Sequence, residues 1–223
     1  MDRKEIKERA KSFAFQNKWN IWKPLLIIFG ITYGVEIILS LLGYGPKIID
    51  LGQDINGFPL FEIVAHPVYE IVTGILAIAI LPIGIGTTYY VMNLIRGNSM
   101  DIKCIFSKYK YYVPILIVVA LIFVFTFLWT LLLIIPGIIY ALKVSMSGFI
   151  MADELDENTK PMEVLDKSKN MMEGHKWEYF VFNLSFIGWF FLIPVTLGIV
   201  LIWLVPYMQT ANIMYYEKLK ELN

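Results

Sequence analysis

The chain has 223 residues, of which 57% are hydrophobic and 17% are charged, and its formal net charge is zero. With a mean hydropathy of +0.62 it has too little polar surface to cover a soluble domain of this length, so we expect the bilayer to be its solvent. A single cysteine, Cys104, excludes an intrachain disulfide bond and a metal cluster held by thiolates.

The first segment, residues 1–23, is polar and basic, and its pattern predicts an amphipathic helix lying in the membrane interface. Trp19 and Trp22 would anchor its end. Pro24 then opens an apolar run, residues 25–42, which approaches the length of about 20 residues needed to span a bilayer. The apolar residues that recur at helical spacing in the first segment are Ile6, Ala10, Phe13 and Ala14.

Residues 43–67 form the longest polar loop outside the basic segments, and we expect this acidic loop to be extracytoplasmic. The second apolar run, residues 71–95, should be kinked because proline and glycine interrupt it. The interrupting residues are Pro82, Gly84 and Gly86.

A short basic piece, residues 98–112, precedes the third run, residues 113–135, which carries no charge and is long enough to span. The fourth run, residues 138–152, is short and contains Lys143, so its length alone leaves a re-entrant helix open. The apolar face expected for the basic piece consists of Ile102, Ile105, Phe106 and Tyr109.

The pattern of residues 160–174 predicts a second interfacial amphipathic helix, with Thr159 as its N-cap and Pro161 in its first turn. Gly174 should end it, and its apolar side would contain Met162, Leu165, Met171 and Met172. A fifth run reaches Ile193, and a sixth extends over residues 195–213.

The distribution of basic residues predicts the orientation. If the chain crosses the membrane six times, 17 of its 19 Lys and Arg residues lie on the same side as both termini. Because basic residues accumulate on the cytoplasmic side, both termini should be cytoplasmic in a multi-pass protein of the bacterial cell membrane. The same rule favours a crossing by the short fourth run.

Two segments indicate an internal repeat. RAKSFAFQNKW at residues 9–19 and KSKNMMEGHKW at residues 167–177 place Lys-Trp at the same offset, and SKYKYYV at residues 107–113 is a weaker third copy. Each precedes a pair of apolar runs, which predicts parallel helix-plus-hairpin units. The alternative is that any interfacial helix before a span is basic and aromatic.

The motifs IIPGII, GHKWEYF, LSFIGW and LVPY, between residues 134 and 207, resemble a bacterial integral membrane family catalogued as domain of unknown function number 975. This resemblance implies six transmembrane helices and no assigned activity. The family is also distantly similar to the membrane domain of glycerophosphodiester phosphodiesterases, which implies a partner-binding or lipid-facing role. The chain departs from the family in having ADELDE at residues 152–157 in place of Asp-Asn-Pro, and in having Lys143.

No motif for an enzyme, a nucleotide or a metal is present, so we expect no catalytic activity, no cofactor and no metal site. His66, near Glu62 and Glu70, is an alternative metal or proton-transfer cluster, although a solvated loop is the simpler interpretation. The basic residues follow membrane topology, so membrane lipids and not nucleic acid are the expected partners.

The expected fold is therefore an all-α polytopic bundle of six transmembrane helices with interfacial amphipathic helices. Two functions remain: a non-enzymatic binding, accessory or self-protection protein acting on a partner membrane protein, a lipid or a membrane-active peptide, or a small transporter. A transporter needs several polar groups along one pathway. The candidate polar core consists of Glu36, Lys143, Asn183, Gln209 and Asn212.

Within this core, Glu36 and Lys143 should lie at similar depth, about 12 Å and about 9 Å from the outer face at 1.5 Å per helical residue. Isolated charges are costly there, so a direct or water-mediated pair is expected. The alternatives are that Lys143 extends outward to the interface, or that Glu36 is protonated.

Overall fold

The computed structural model describes residues 3–53 and 58–222. Its elements are α-helices apart from one β-hairpin and one 3₁₀ helix, so the all-α prediction is correct in class. The chain divides into two compact units, Met1–Pro24 with Leu81–Asn223, and Leu25–Ile80.

Helix α1, Arg3–Leu41, is one helix of 39 residues that belongs to both units. The predicted interfacial helix and the first apolar run are therefore continuous through Pro24, which lies inside the helix. Proline at this point removes one backbone hydrogen bond, and the neighbouring residues are good enough helix formers to continue. The interfacial position of residues 3–23 stays a prediction.

The second unit contains a structured hairpin where a polar loop was expected. Strand β1, Lys47–Gln53, pairs antiparallel with β2, Pro59–Val64, with a register irregularity between Asp50 and Gly52. Gly52 has φ 89° there, a backbone conformation that favours glycine. Residues 54–57 of the predicted loop lie outside the described part of the chain.

Helix α2, Pro67–Ala79, follows the hairpin, and His66 is its N-cap. The His66 Nδ1 atom accepts a hydrogen bond from the backbone N–H of Val68 at 3.2 Å. His66 thus has a structural role that explains its position beside the helix, and its ring lies 5.0 Å from that of Tyr44.

Helix α3, Leu81–Ile95, begins directly after Ile80, so the expected interruption of the second run separates two helices. A 3₁₀ helix, Ile102–Tyr111, then packs on α3. The carbonyl oxygen of Ile105 lies only 1.9 Å from where a Cβ on Gly86 would be. Glycine at position 86 is therefore what allows the two backbones to approach.

The face predicted for the basic piece is partly wrong. Ile105 is buried, but Phe106 and Tyr109 are exposed, and the other buried residues are Lys108 and Tyr111. The reason is the period: a 3₁₀ helix has three residues per turn, so residues 105, 108 and 111 share a face that an α-helical period would separate.

The third and fourth runs form α4, Tyr112–Leu132, α5, Ile134–Lys143, and α6, Ser147–Glu154. The fourth run is thus two helices separated at residues 144–146. The interruption is bridged by Ser168, whose hydroxyl donates to the carbonyl of Lys143 at 2.9 Å and accepts from the N–H of Met146 at 3.2 Å.

Ser168 belongs to α7, Pro161–Met171, which buries Val164, Leu165 and Ser168. Two details of its prediction are wrong. The N-cap is Lys160 and not Thr159, because the Thr159 hydroxyl bonds Asp156 in the preceding loop. Met162 is 48% exposed, because the buried face is centred on residues 164, 165 and 168.

The last part contains α8, Lys176–Leu184, α9, Ile187–Phe190, α10, Leu192–Val195, and α11, Leu201–Leu222. The turn before α11 places Leu197 at φ 49° and Gly198 at φ 84°. The proposed repeat differs locally between its copies: residues 9–19 are wholly inside α1, whereas residues 167–177 include the end of α7 and the start of α8.

Five described stretches are long and apolar enough to cross a membrane by length and composition, with 39% or less of each apolar window buried. Many of their large apolar side chains are exposed, as expected of helices that face lipid. Helix α11, which contains most of the predicted sixth run, is not one of the five, which are Arg3–Leu41, Pro67–Ile95, Ile102–Leu132, Ile134–Glu154 and Lys176–Val195.

Candidate functional site

Two of the predicted polar core residues meet around one tyrosine. The hydroxyl of Tyr179 in α8 donates to Oδ1 of Asn212 in α11 at 2.9 Å. Asn183, one turn after Tyr179, donates to the Tyr179 backbone carbonyl at 3.0 Å. The ring of Tyr215 lies 5.0 Å from that of Tyr179. This cluster joins α8 to α11 with most of its polar atoms satisfied inside the protein.

The other predicted residues are placed elsewhere. Gln209 is on α11, and its Oε1 atom is buried without a hydrogen-bond partner among the described residues. Lys143 ends α5 in the first unit, and Glu36 lies in the part of α1 that belongs to the second unit. Their pairing therefore stays a prediction.

A charged network that the sequence analysis missed joins the ends of three helices in the first unit. Arg96, directly after α3, makes two hydrogen bonds to Asp153 of α6, at 2.7 Å and 2.9 Å. The same guanidinium donates to Glu217 of α11, at 3.0 Å from Nε and 2.8 Å from Nη2. Only 8% of the Asp153 side chain is exposed, so this carboxylate is almost wholly desolvated.

Lys220 of α11 completes the network from the other side. Its ammonium lies 2.7 Å from Asp153 and 2.7 Å from Glu154, and Glu154 also pairs with Lys167 of α7 at 3.2 Å. The hydroxyl of Tyr216 lies 3.3 Å from Asp153. Three cations and three carboxylates thus form a neutral cluster, and each carboxylate except Glu217 has at least two partners here.

The electrostatics of the network agree with its geometry. Hydrogen bonding to Asp153, reinforced by the charge of Glu217, raises the pKa of Arg96 above its usual value against the cost of burial. Burial alone would lower the pKa of Lys220, but its hydrogen bonds to Asp153 and Glu154 outweigh that cost and raise it. Both cations therefore stay charged, and the network acts as a permanent electrostatic link between helix ends.

A signal in the sequence could have indicated this network. Arg96 and Asp153 each follow an apolar run directly, and Glu217 is the first charged residue after the long uncharged stretch 179–216. Charged residues that end transmembrane runs on the same side of the membrane lie at similar depth. Opposite charges among them can therefore come close, and their attraction rises as the distance falls. The identity of the partners could not be predicted, because it depends on which helices are neighbours.

Beside the network lies a cleft of about 400 Å³, lined by the first turns of α1, by Ile95 and by the end of α11. Its lining is amphipathic. The apolar residues include Ile6, Phe13 and Met214, and the charged residues are Glu5, Arg9, Glu217, Lys218 and Glu221.

Two ion pairs lie within the cleft lining, Arg9 with Glu5 at 3.7 Å and Lys218 with Glu221 at 2.7 Å. Glu217 is shared with the charged network, and burial raises the pKa of its carboxyl despite the nearby Arg96. The lining carries three carboxylates and two cations, and Arg96 of the charged network supplies the third cation, so the charges around the cleft balance.

The charged groups around the cleft are paired with one another or with the charged network. In the described part of the chain, no group of three or more His, Cys, Asp or Glu residues could hold a metal ion. The carboxylates nearest one another are neutralised by arginine or lysine. The arrangement is an amphipathic cleft beside a charged network.

The fold defines a helical protein with five described stretches long and apolar enough to cross a membrane. Residues 130–223 match the family described as Protein of unknown function (DUF975), which confirms the family resemblance over this carboxyl-terminal part of the chain. No curated protein and no solved structure matches the chain. The similarity to glycerophosphodiester phosphodiesterases stays an expectation.

Proposed function

We propose that the protein is a non-enzymatic binding protein of the bacterial cell membrane, and that its cleft receives a cationic amphipathic peptide or protein segment. The observation that carries this proposal is the cleft itself. Its volume of about 400 Å³ accommodates several side chains, its apolar part takes a hydrophobic face, and the exposed carboxylates of Glu5 and Glu221 can pair with positive charge. An accessory or self-protection role would follow from such binding.

The amphipathic character of the cleft favours a helical segment. A helix with apolar residues at positions i, i+3, i+4 and i+7 presents one hydrophobic face, which would lie against Phe13, Ile95 and Met214. Lysine or arginine residues beside that face would meet Glu221 and Glu217. We expect the binding to favour cationic over anionic segments because Glu5 and Glu221 expose their carboxylates at the cleft.

The proposal is tested with a synthetic amphipathic peptide of Leu and Lys residues, binding to the purified protein in nanodiscs of zwitterionic lipid. We expect Glu221→Lys to weaken binding about tenfold, a loss of about 1.4 kcal/mol. The matched control is Glu173→Lys, because Glu173 is also exposed and the net charge changes equally, but it lies outside the cleft. Equal affinity of wild type and Glu221→Lys would overturn the proposal.

We also propose six crossings with both ends of the chain cytoplasmic. Glu5 and Arg9 line the same cleft as Glu217 and Glu221, which supports their lying on one side of the membrane. An even number of crossings must then separate them. Six result if α11 supplies the last one. The parallel repeat of helix-plus-hairpin units belongs to the same proposal and rests on the shared Lys-Trp offset.

A small transporter is the second candidate, and unpaired polar atoms favour it. The Gln209 Oε1 and Tyr215 hydroxyl atoms, both on α11, are buried without partners among the described residues. Polar atoms left unsatisfied can line a hydrated path. Solute flux into proteoliposomes that Gln209→Leu abolishes, with the peptide binding of the cleft unchanged, would favour transport over the binding role.

A further inference from the structure

Helix α1 carries two different faces. At about 100° per residue, the residues that line the cleft, such as Arg9 and Phe13, lie on one side of the helix. Lys7, Lys11 and Lys18 lie close together on the opposite side, because their spacings of four and seven residues return to the same face. This lysine stripe belongs to a surface separate from the cleft.

Aromatic side chains surround the lysine stripe. The Lys7 ammonium lies 4.2 Å from the ring centroid of Phe186 and 5.4 Å from that of Phe182, and it also hydrogen bonds Ser185. Lys18 lies 5.8 Å from the ring of Trp203. Phe182 and Phe186 are buried beneath Lys7. We call the accessible surface beside them the basic-aromatic face, and it consists of Lys11, Lys18, Trp189, Trp203 and Tyr207.

The positive charge of this face is not neutralised by the protein. Among residues 3–53 and 58–222, none of the ion pairs involves Lys7, Lys11 or Lys18. The basic residues of the charged network, by contrast, each contact a carboxylate within 3.2 Å. Lys7 and Lys18 lie against rings and Lys11 is exposed beside them, so the stripe presents an unmatched charge that attracts an anion.

The surroundings of the lysines select an anion with an apolar part. A narrow cavity of about 30 Å³ between Lys11, Lys18 and the rings of Trp203 and Tyr207 has almost wholly apolar walls. It is wide enough for one or two methylene groups and too small for a headgroup. Phe15, beside it, is 56% exposed. A hydrophilic anion would gain nothing from these walls, whereas an acyl chain would.

We propose that the basic-aromatic face binds an anionic phospholipid. The phosphate lies at Lys11 and Lys18, and an acyl chain lies along Trp203 and Tyr207. Lysine and tryptophan are the residues that hold proteins at the interface, and each lysine near an anionic surface strengthens binding about fivefold. The lipid would add to the hydrogen bonds that Lys7 and Trp22 of α1 already make with Ser185 and Ile202.

The test uses quenching of tryptophan fluorescence by brominated phosphatidylglycerol in nanodiscs, with brominated phosphatidylcholine as the zwitterionic comparison. We expect wild type to be quenched preferentially by the anionic lipid, and Lys11→Gln/Lys18→Gln to lose about tenfold or more of that preference. Lys7 is kept because it packs on two rings. Unchanged preference in the double variant, at an unchanged melting temperature, would overturn the proposal.

Two further arms distinguish a lipid site from general electrostatic attraction and from a soluble ligand. Lys103→Gln/Lys160→Gln removes two exposed lysines elsewhere, and an equal loss of preference there would reduce the effect to general electrostatics and overturn the proposal. Displacement by inorganic phosphate or by a soluble acidic peptide would overturn the lipid assignment in favour of that ligand. Glu221→Lys should leave lipid quenching unchanged, so this proposal and that of the cleft can fail independently.

Discussion

The substitution Asp153→Asn tests the contribution of the charged network to stability most directly. Asp153 accepts two hydrogen bonds from Arg96 and lies within 2.7 Å of Lys220, with only 8% of its side chain exposed. Asparagine has nearly the same shape, so the change removes charge and leaves packing intact. The network then carries a net charge of +1 in a largely desolvated place.

The expected loss in the free energy of unfolding depends on the ion-pair partners that remain. Removing one member of a buried pair costs about 3–5 kcal/mol when the survivor is stranded. Here Arg96 keeps Glu217 and Lys220 keeps Glu154, so the loss should be near the lower limit, about 3 kcal/mol. For a chain of this length, this corresponds to a fall in melting temperature of roughly 6–12 °C.

The assay is thermal unfolding in detergent, followed by the fraction of protein that remains monodisperse. The matched control is Asp166→Asn, whose partner Lys169 lies 2.9 Å away on an exposed pair, and it should cost less than about 1 kcal/mol. Lys220→Met added to Asp153→Asn restores neutrality, so the double variant should lose less than the sum of the single losses. Additive losses, or equal effects at positions 153 and 166, would refute the reasoning.

Three other predictions concern packing and topology. Gly86→Ala should destabilise the protein by about 1–3 kcal/mol in the same assay because its Cβ would overlap the Ile105 carbonyl, whereas Gly84→Ala, with nothing within 4 Å, should be neutral or stabilising. Ser168→Ala should cost about 1–3 kcal/mol because the backbone groups in the interruption after α5 lose their partner. In a Cys104→Ser background, impermeant thiol reagents should label cysteine at position 63 in intact cells but not at position 157; the reverse pattern would exclude a cytoplasmic α6–α7 loop.

Much of the element order could be predicted because it depends on local apolar length. The uncharged third run became α4, and the proline and glycine residues of the second run marked the interruption beside Ile80. The failures have a common cause in tertiary contact. Ser168 fills the interruption in the fourth run, and the exposure of Met162 follows from which side of α7 is covered. Neither can be read from the period of a single segment.

The candidate site shows the same limit. Asn212 and Asn183 were identified because polar residues inside apolar runs are rare, and the structure brings both to Tyr179. Asp153 was noted only as a departure from the family pattern, and its neutralisation by Arg96 depends on the adjacency of α3 and α6. Periodicity specifies which residues share a face, but the pairing of faces is decided by the whole bundle.

Glu217 connects the charged network to the cleft. Its carboxylate accepts from Arg96 and also faces the space in which a cationic segment would bind. A bound cation and Arg96 would therefore compete for the Glu217 carboxylate. Any change that strengthens the Arg96–Glu217 ion pair would weaken the attraction between Glu217 and the ligand. Because such coupling is reciprocal, occupation of the cleft must weaken the hold of Glu217 on Arg96 and shift Arg96 towards Asp153. The network thus lies beside the cleft, and through it binding would change the ion pairs at the ends of α3 and α6.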